Sequence, residues 1–505
     1  MTCHLYDQFR QAMPNLDKLF IETIDGRKIT YGEVETLSAQ MANVLVQLGI
    51  KAGDRVAVQV EKSPDAILLY LACIRAGAIF LPLNTAYTPA EIDYFLSDAE
   101  PRLFICDPAH LDKLSSIAKK AKVSHILTMG TKADGSFLDQ VKAASTQLQS
   151  IERGPDDLAA ILYTSGTTGR SKGAMLSHEN LASNARTLVK YWHFTSKDVL
   201  IHALPIYHTH GLFVATNVML LSGGTMLFLP KLDVAQILRL MNRATCMMGV
   251  PTFYTRLLDS ADMTQEITRH MRLFISGSAP LLAETHREWR ARTGHAILER
   301  YGMTETNMNT SNPYDGDRVA GTVGFPLPGV EVRITDQDSA KSLARNEIGM
   351  IEVRGPNVFK GYWRMPEKTA EELRADGFFI TGDLGKIDDR GYVHILGRNK
   401  DLVITGGFNV YPAEVEAEID AIEGVMESAI IGLPHKDFGE GVTAVIVKKK
   451  SSDLSEAKIL SALEDRIAKF KLPKRILFLD DLPRNTMGKV QKNLLRETYK
   501  DLYAS

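Results

Sequence analysis

The sequence predicts an α/β protein with a large N-terminal domain of α/β layers and a β-rich subdomain, followed by a small α+β C-terminal domain. Apolar runs of strand length alternate with helix-period segments over roughly the first 300 residues. The texture then changes to short runs punctuated by glycine and proline. A polar stretch at Gly397-Arg398-Asn399-Lys400-Asp401 separates off a final segment of about 100 residues, a size that folds alone.

Thr30-Tyr31-Gly32-Glu33 has capping-box spacing, and Leu37, Met41, Val44, Leu45 and Leu48 follow at helical intervals, so an amphipathic helix starts there. Gly53-Asp54 turns the chain into an alternating strand, Arg55 to Val60, and Ser63-Pro64 opens a second helix that ends near Gly77. The rhythm recurs at Leu103 to Cys106, Leu158 to Tyr163, Met226 to Leu229, Cys246 to Val250 and Leu273 to Ile275, short apolar runs suited to buried parallel strands. Beyond Pro313, residues such as Gly321, Gly324, Pro326 and Gly329 punctuate runs like Gly349 to Val353 and Tyr392 to Leu396, which form the β-rich subdomain. The last segment offers strands at Ser428 to Ile431 and Val442 to Val447 and a helix near Glu456 to Lys469. The expected organisation is an N-terminal domain at 1–397, a hinge at 398–400 and a C-terminal domain at 401–505.

Composition excludes several partner classes. Lys plus Arg total 59 and Asp plus Glu 61, a net charge of −2, so no global field draws in a nucleic-acid backbone or an anionic membrane. The most apolar windows, Ala66 to Leu83 and Leu212 to Leu229, are broken by Arg75 and by Asn217 with Ser222-Gly223-Gly224, short of a membrane span. Cys3, Cys73, Cys106 and Cys246 lack the close spacing of a zinc or redox motif, which fits a reducing compartment, and the N-terminus lacks an apolar signal region. The expectation is a cytoplasmic protein whose partners are small molecules.

The stretch richest in chemistry is Tyr163-Thr164-Ser165-Gly166-Thr167-Thr168-Gly169-Arg170-Ser171-Lys172-Gly173, where a buried strand runs into a polar glycine loop. Glycines let backbone N–H groups approach an anion, the hydroxyls add donors, and Arg170 and Lys172 add positive charge, so the loop suits a polyphosphate such as ATP. It is not a Walker A loop, because five residues on from Gly166 stands Ser171 and Lys172 precedes Gly173. A flexible surface loop after a core strand is the plain alternative.

This loop together with Tyr301-Gly302-Met303-Thr304-Glu305, Thr381-Gly382-Asp383, the hinge stretch running into Gly406-Gly407-Phe408, and Pro483-Arg484-Asn485-Thr486-Met487-Gly488-Lys489 resembles the acyl-CoA synthetases of the adenylate-forming superfamily. The resemblance implies a ligase that joins a carboxylate to ATP, releases pyrophosphate and passes the acyl group from AMP to CoA, with Mg²⁺ on the nucleotide. It assigns roles by position. Lys489 is the catalytic lysine of a mobile C-terminal domain, Thr304 a phosphate-contacting hydroxyl and Glu305 the Mg²⁺ carboxylate. Thr164, Ser165, Gly166, Thr167, Thr168, Gly169 and Lys172 cradle the ATP phosphates, Ser278-Ala279-Pro280 and Tyr301 the adenine, and Asp383 and Arg398 the ribose. Lys400 falls at the hinge about which the small domain turns between half-reactions, although an ordinary linker has the same composition. One departure is Ser171, where the family commonly has proline before the lysine.

The acid is read from Val250-Pro251-Thr252-Phe253-Tyr254-Thr255-Arg256. A guanidinium facing a hydrocarbon acyl chain would lose hydration for nothing, whereas a second carboxylate on the substrate would engage it bidentately. Arg256 is therefore the expected carboxylate ligand, with Ser278 adding a hydrogen bond and His208 shaping the path beside Thr209 and His210. This constellation is similar to that of the malonate–CoA ligases of the superfamily, which implies malonate as substrate, with methylmalonate or another short carboxylate as the alternative. The plain alternative for Arg256 is a pairing with a nearby acid.

Overall fold

The computed structural model describes residues 3–164, 171–450, 452–464, 466–485 and 488–503. Two large sheets carry the N-terminal part. In the first, strands His125–Thr128, Leu103–Cys106, Arg55–Gln59, Ile79–Pro82 and Leu158–Thr164 lie parallel in that order, and Lys172–Ser177 closes the edge antiparallel. The second has nine strands. Its middle runs parallel in the order Leu298–Met303, Leu273–Ser276, Cys246–Gly249, Val199–His202, Thr225–Phe228 and Leu19–Thr23, with antiparallel strands at both ends.

Helix Pro64–Arg75 is buried at every position, because its sequence is apolar all round and it is enclosed on every side. Its two buried charges are matched: Asp65 accepts from Arg27 at 2.6 and 2.7 Å, and Arg75 donates to the Glu35 carbonyl at 2.6 Å, to Ser38 Oγ at 2.8 Å and to Glu35 Oε1 at 3.2 Å. The capping box forms at the start of helix Tyr31–Gln47. Thr30 Oγ1 accepts from the Glu33 amide at 3.2 Å, and Glu33 Oε2 accepts from the Thr30 amide at 2.7 Å.

The β-rich region is a four-stranded antiparallel sheet of Glu331–Thr335, Gly349–Arg354, Phe379–Ile387 and Val393–Arg398. A 3₁₀ turn, Asn399–Asp401, leads from it to the last sheet, in which Val403–Thr405 and Arg475–Leu479 both pair with the second strand of the long hairpin Val425–His435 and Gly439–Lys448. That sheet has its own core around Val403, Val415, Ile430, Val442 and Ile446. The helix expected to reach Lys469 stops at Leu463. Lys469–Lys471 forms a separate 3₁₀ turn, which lets Phe470 stack on Phe408 with ring centroids 4.7 Å apart. All four cysteines are buried and free, and among the described residues no helix is long and apolar enough to cross a membrane.

Because the capping box satisfies two backbone donors at once, Thr30→Ala is expected to cost about 1 kcal/mol and Thr30→Ser little. Denaturant midpoints of the two variants check this.

Candidate active site

The parallel pairing in the nine-stranded sheet ends together, at His202, Gly249, Ser276 and Glu299, and a crevice beyond such carboxyl ends is where this architecture binds ligands. Three groups of side chains converge on it.

The first surrounds Asp383. Cross-strand register sets Asp383 opposite Arg398, and Arg398 Nε reaches Asp383 Oδ1 at 2.7 Å. Tyr301 Oη donates to Asp383 Oδ2 at 2.5 Å. Asp383 is the first reason that the Arg398 guanidinium is held more basic than usual. The Tyr301 ring expected at the adenine is thus fixed through its hydroxyl to the expected ribose acceptor. Ser278-Ala279-Pro280 runs from half-buried to exposed at Pro280.

The second group links two residues far apart in sequence. Tyr362 Oη lies 3.0 Å from Glu305 Oε1 and 2.6 Å from Glu372 Oε2. Glu372 takes Lys172 Nζ at 3.0 and 3.1 Å on its two oxygens, and that ammonium sits 4.1 Å from the Tyr362 ring centroid. Burial pushes the Glu305 carboxyl up, so an incoming cation would restore the ionised form. Glu372 is held low, because hydrogen bonds from Tyr362 and Lys172 outweigh its burial. Thr304 is half-buried beside this group, and Thr164 ends the strand that leads toward it. Ser165, Gly166, Thr167, Thr168 and Gly169, assigned to the phosphates, lie outside the described residues.

The third group brings the tail to the crevice. Asn485 and Lys489 close a tight loop through Asn485 N–H to Lys489 O at 2.9 Å and Lys489 N–H to Asn485 Oδ1 at 2.9 Å. Gly488 has φ +73°, and a Cβ there would stand 3.2 Å from Thr252 Oγ1, so only glycine lets the loop rest on the start of helix Pro251–Leu258. Lys489 keeps contact with solvent at the mouth of the crevice. Surrounding protein, and then the Arg398 charge, bring its ammonium down to about 8. Lys400, in the connecting turn, is lowered by burial.

Deeper in, the acyl side departs from expectation. Arg256 is exposed on the last turn of its helix and makes no hydrogen bond or ion pair among the described residues, so neither the enclosed ligand nor the pairing with an acid is seen. The enclosed guanidinium is Arg300. Only 3% exposed, it lies so close to Gly277 that a Cβ there would be 2.5 Å from its Cζ. Its Nε and Nη2 have no partner among the described residues, nor have Thr209 Oγ1, Ser276 Oγ, His208 Nε2 or His210 Nε2. Ser278, held at φ +73°, places its hydroxyl 3.2 Å from His210 Nδ1. Burial takes His208 down to about 4 and, with the Arg300 charge, lowers His210 well below its ordinary value, so both rings are neutral at pH 7.

Sequence reasoning missed Arg300, Tyr362 and Glu372. A signal existed for the first: Glu299-Arg300 sets two charges inside an apolar run of strand length. For Tyr362 and Glu372 nothing local marks the role, which arises from the pairing of Tyr362 with Ala174 beside Lys172.

Comparison with known proteins agrees with this geometry. The AMP-binding enzyme model matches residues 9–363, and the AMP-binding enzyme C-terminal domain matches 414–489. A malonate–CoA ligase of Arabidopsis thaliana is 34% identical over 98% of this chain and 88% of its own length. The crystal structure of ATP-bound MatB from Rhodopseudomonas palustris is 65% identical, covers 100% of both chains and superimposes with a TM-score of 0.98. The apo structure of the same protein, at the same 65% identity and coverage of 100% of both chains, gives 0.87, so the present arrangement is nearer the ATP-bound one.

The Lys489 amine should titrate near 8 in the nucleotide-free protein. Competitive acylation read by mass spectrometry checks this: labelling of Lys489 rises through that pH, where the neutral amine appears, and added ATP shifts the rise upward by favouring the ammonium.

Proposed function

The chain belongs to the AMP-binding enzyme family, and from that premise we infer that it is an AMP-forming acid–thiol ligase that makes malonyl-CoA from malonate, ATP and CoA. The observation that carries the reading is the likeness to a malonate–CoA ligase along nearly the whole chain, and the polar, cationic acyl side of the crevice supports it.

In the first half-reaction a carboxylate oxygen attacks the α-phosphate of ATP, and malonyl-AMP forms as pyrophosphate leaves. Both reactants are anionic, so charge gathering at phosphorus must be met by cations already in place. Lys489 supplies one between the acid and the nucleotide, and its lowered affinity for a proton in the empty cleft reverses when those anions arrive. Arg398 and Asp383 hold the ribose, Lys172 meets the outer phosphates, and Thr304 donates to a phosphate oxygen. Glu305 would hold Mg²⁺ on the nucleotide, where the ion offsets phosphate charge; one carboxylate plus phosphates and water is an ordinary magnesium environment. His208 and His210, neutral, line the acid's path without adding a competing charge.

In the second half-reaction the CoA thiol attacks the acyl carbon and AMP leaves. The segment beyond Lys400 turns about the Asn399–Asp401 stretch, withdrawing Lys489 and bringing Gly406-Gly407 toward the acyl group. The nearer match to an ATP-bound arrangement supports the present state as that of the first step.

Pyrophosphate release by the purified protein should depend on malonate and be slow with acetate; the reverse order would overturn the substrate. Lys489→Ala should lower malonate-dependent pyrophosphate release by at least about 100-fold. The same variant should leave thioester formation from supplied malonyl-AMP largely intact, and equal loss of both steps would contradict the assigned role.

A further inference from the structure

Lys62 is half-buried, and among the described residues no carboxylate pairs with it. It stands just beyond strand Arg55–Gln59 of the six-stranded sheet, beside the Ser63 cap of helix Pro64–Arg75, and its side chain crosses to the nine-stranded sheet. There Nζ lies 2.9 Å from His202 Nδ1 and 2.9 Å from the His202 carbonyl oxygen, with the Phe228 ring centroid 4.2 Å away. Both hydrogen bonds of this lysine therefore go to one residue.

The far side of the His202 ring fixes where its proton sits. Nε2 lies 2.9 Å from the Gly211 carbonyl, which only accepts, so Nε2 carries the hydrogen and Nδ1 is the acceptor. Lys62 presents N–H groups to Nδ1, which favours this tautomer over the other. Burial first, and then the Lys62 charge, hold the His202 imidazole well below its ordinary value, so the ring is neutral and has a tautomer to choose.

The Gly211 carbonyl is where that choice acts. It also accepts from Thr216 Oγ1 at 3.0 Å, and it lies in the π-helical segment His210–Thr216, a winding wider than the α-helix and common at functional positions. A Cβ on Gly211 would collide with the Pro205 carbonyl, so the turn is pressed tightly onto the chain before it. Just ahead of Gly211 come His208, Thr209 and His210, whose Nε2, Oγ1 and Nε2 have no partner among the described residues. Ser278 Oγ, 3.2 Å from His210 Nδ1, ties this turn to the acyl side of the crevice.

We propose that Lys62 is a positioning residue for the acyl side: by donating to His202 Nδ1 it keeps the His202 proton on Nε2, and the bond from Nε2 to the Gly211 carbonyl holds the turn that presents His208, Thr209 and His210 to the acid. The inference rests on the malonate reading above. Without Lys62 the proton is free to move to Nδ1, and Nε2 then sets a lone pair against the carbonyl that it now holds.

The test is a double-substitution cycle of Lys62→Met and His202→Gln, read as kcat and KM for malonate and as KM for ATP. A glutamine amide reaches the Nε2 position of histidine with permanent N–H groups and needs no tautomer chosen for it. On the His202 background, Lys62→Met should lower kcat/KM for malonate about 10-fold or more, chiefly through KM, and change KM for ATP by less than about 2-fold. On the His202→Gln background the same substitution should cost less than about 3-fold. Equal losses on the two backgrounds, or a rise in KM for ATP as large as that for malonate, would show Lys62 serving the fold at large and overturn the proposal. Should Lys62→Met not fold, a neutron structure of the unsubstituted protein locates the hydrogen. Its presence on Nε2, with Nδ1 accepting from Lys62, supports the proposal, and its presence on Nδ1 overturns it. An unsubstituted protein that releases no pyrophosphate with malonate sinks the substrate reading instead, an outcome that the neutron structure keeps separate from the tautomer.

Discussion

A guanidinium taken out of water loses hydration that only an anion or a full set of hydrogen bonds restores, and among the described residues Nε and Nη2 of Arg300 find neither. Much of the acyl side follows from keeping it there. Its strand lies between the parallel strand Leu273–Ser276 and the antiparallel strand Asn307–Ser311, and Gly277 on the neighbouring segment leaves room for the group where any Cβ would collide. Ser278 then takes a left-handed backbone conformation, strained for a serine, that aims its hydroxyl at His210. Desolvation keeps His208 and His210 uncharged, and at His210 the Arg300 charge adds to it. The product is a chamber that favours an anion, the opposite of what a hydrocarbon acyl group needs.

The same balance recurs across the crevice. Arg398, Lys400 and Lys489 influence one another as like charges, with Asp383 and Asp401 opposing them. Two of these cations sit at or beyond the 3₁₀ turn that joins the antiparallel sheet to the last one, and contacts such as Gly488 on Thr252 and Lys449 with Glu284 at 2.8 Å hold that last part against the first. These contacts are small and partly exposed, which suits the turn proposed between the two half-reactions. On the other side of the crevice, Lys172 rests on Glu372 while Tyr362 ties Glu372 to Glu305, so the residues proposed for the outer phosphates and the metal are one connected unit.

What was legible in the sequence was local. The capping box at Thr30, the proline-led helix at Ser63-Pro64 and the short apolar strands were readable because their signals lie within a few residues of their effects. The motif residues Asp383, Arg398, Glu305 and Lys489 were readable as a set, and the fold brings them to one crevice. Arg256 was expected in an enclosed pocket, and its helix instead turns Phe253, Tyr254 and Leu257 to the buried side and leaves Arg256 exposed. The burial of Arg300 was less legible, since it depends on Gly277 and His210, neighbours distant in sequence that strand order brings beside it. The helix from Glu456 was read too long for a like reason, since Phe470 stacks on Phe408, a partner distant in sequence.

The most direct test is a crystal structure of the protein with malonate and a non-hydrolysable ATP analogue. The arrangement of charges predicts both oxygens of the distal carboxylate at about 3 Å from Nε and Nη2 of Arg300, with the other end beside Lys489. A distal carboxylate resting on Arg256, or turned to solvent with Arg300 still unmatched, would contradict it.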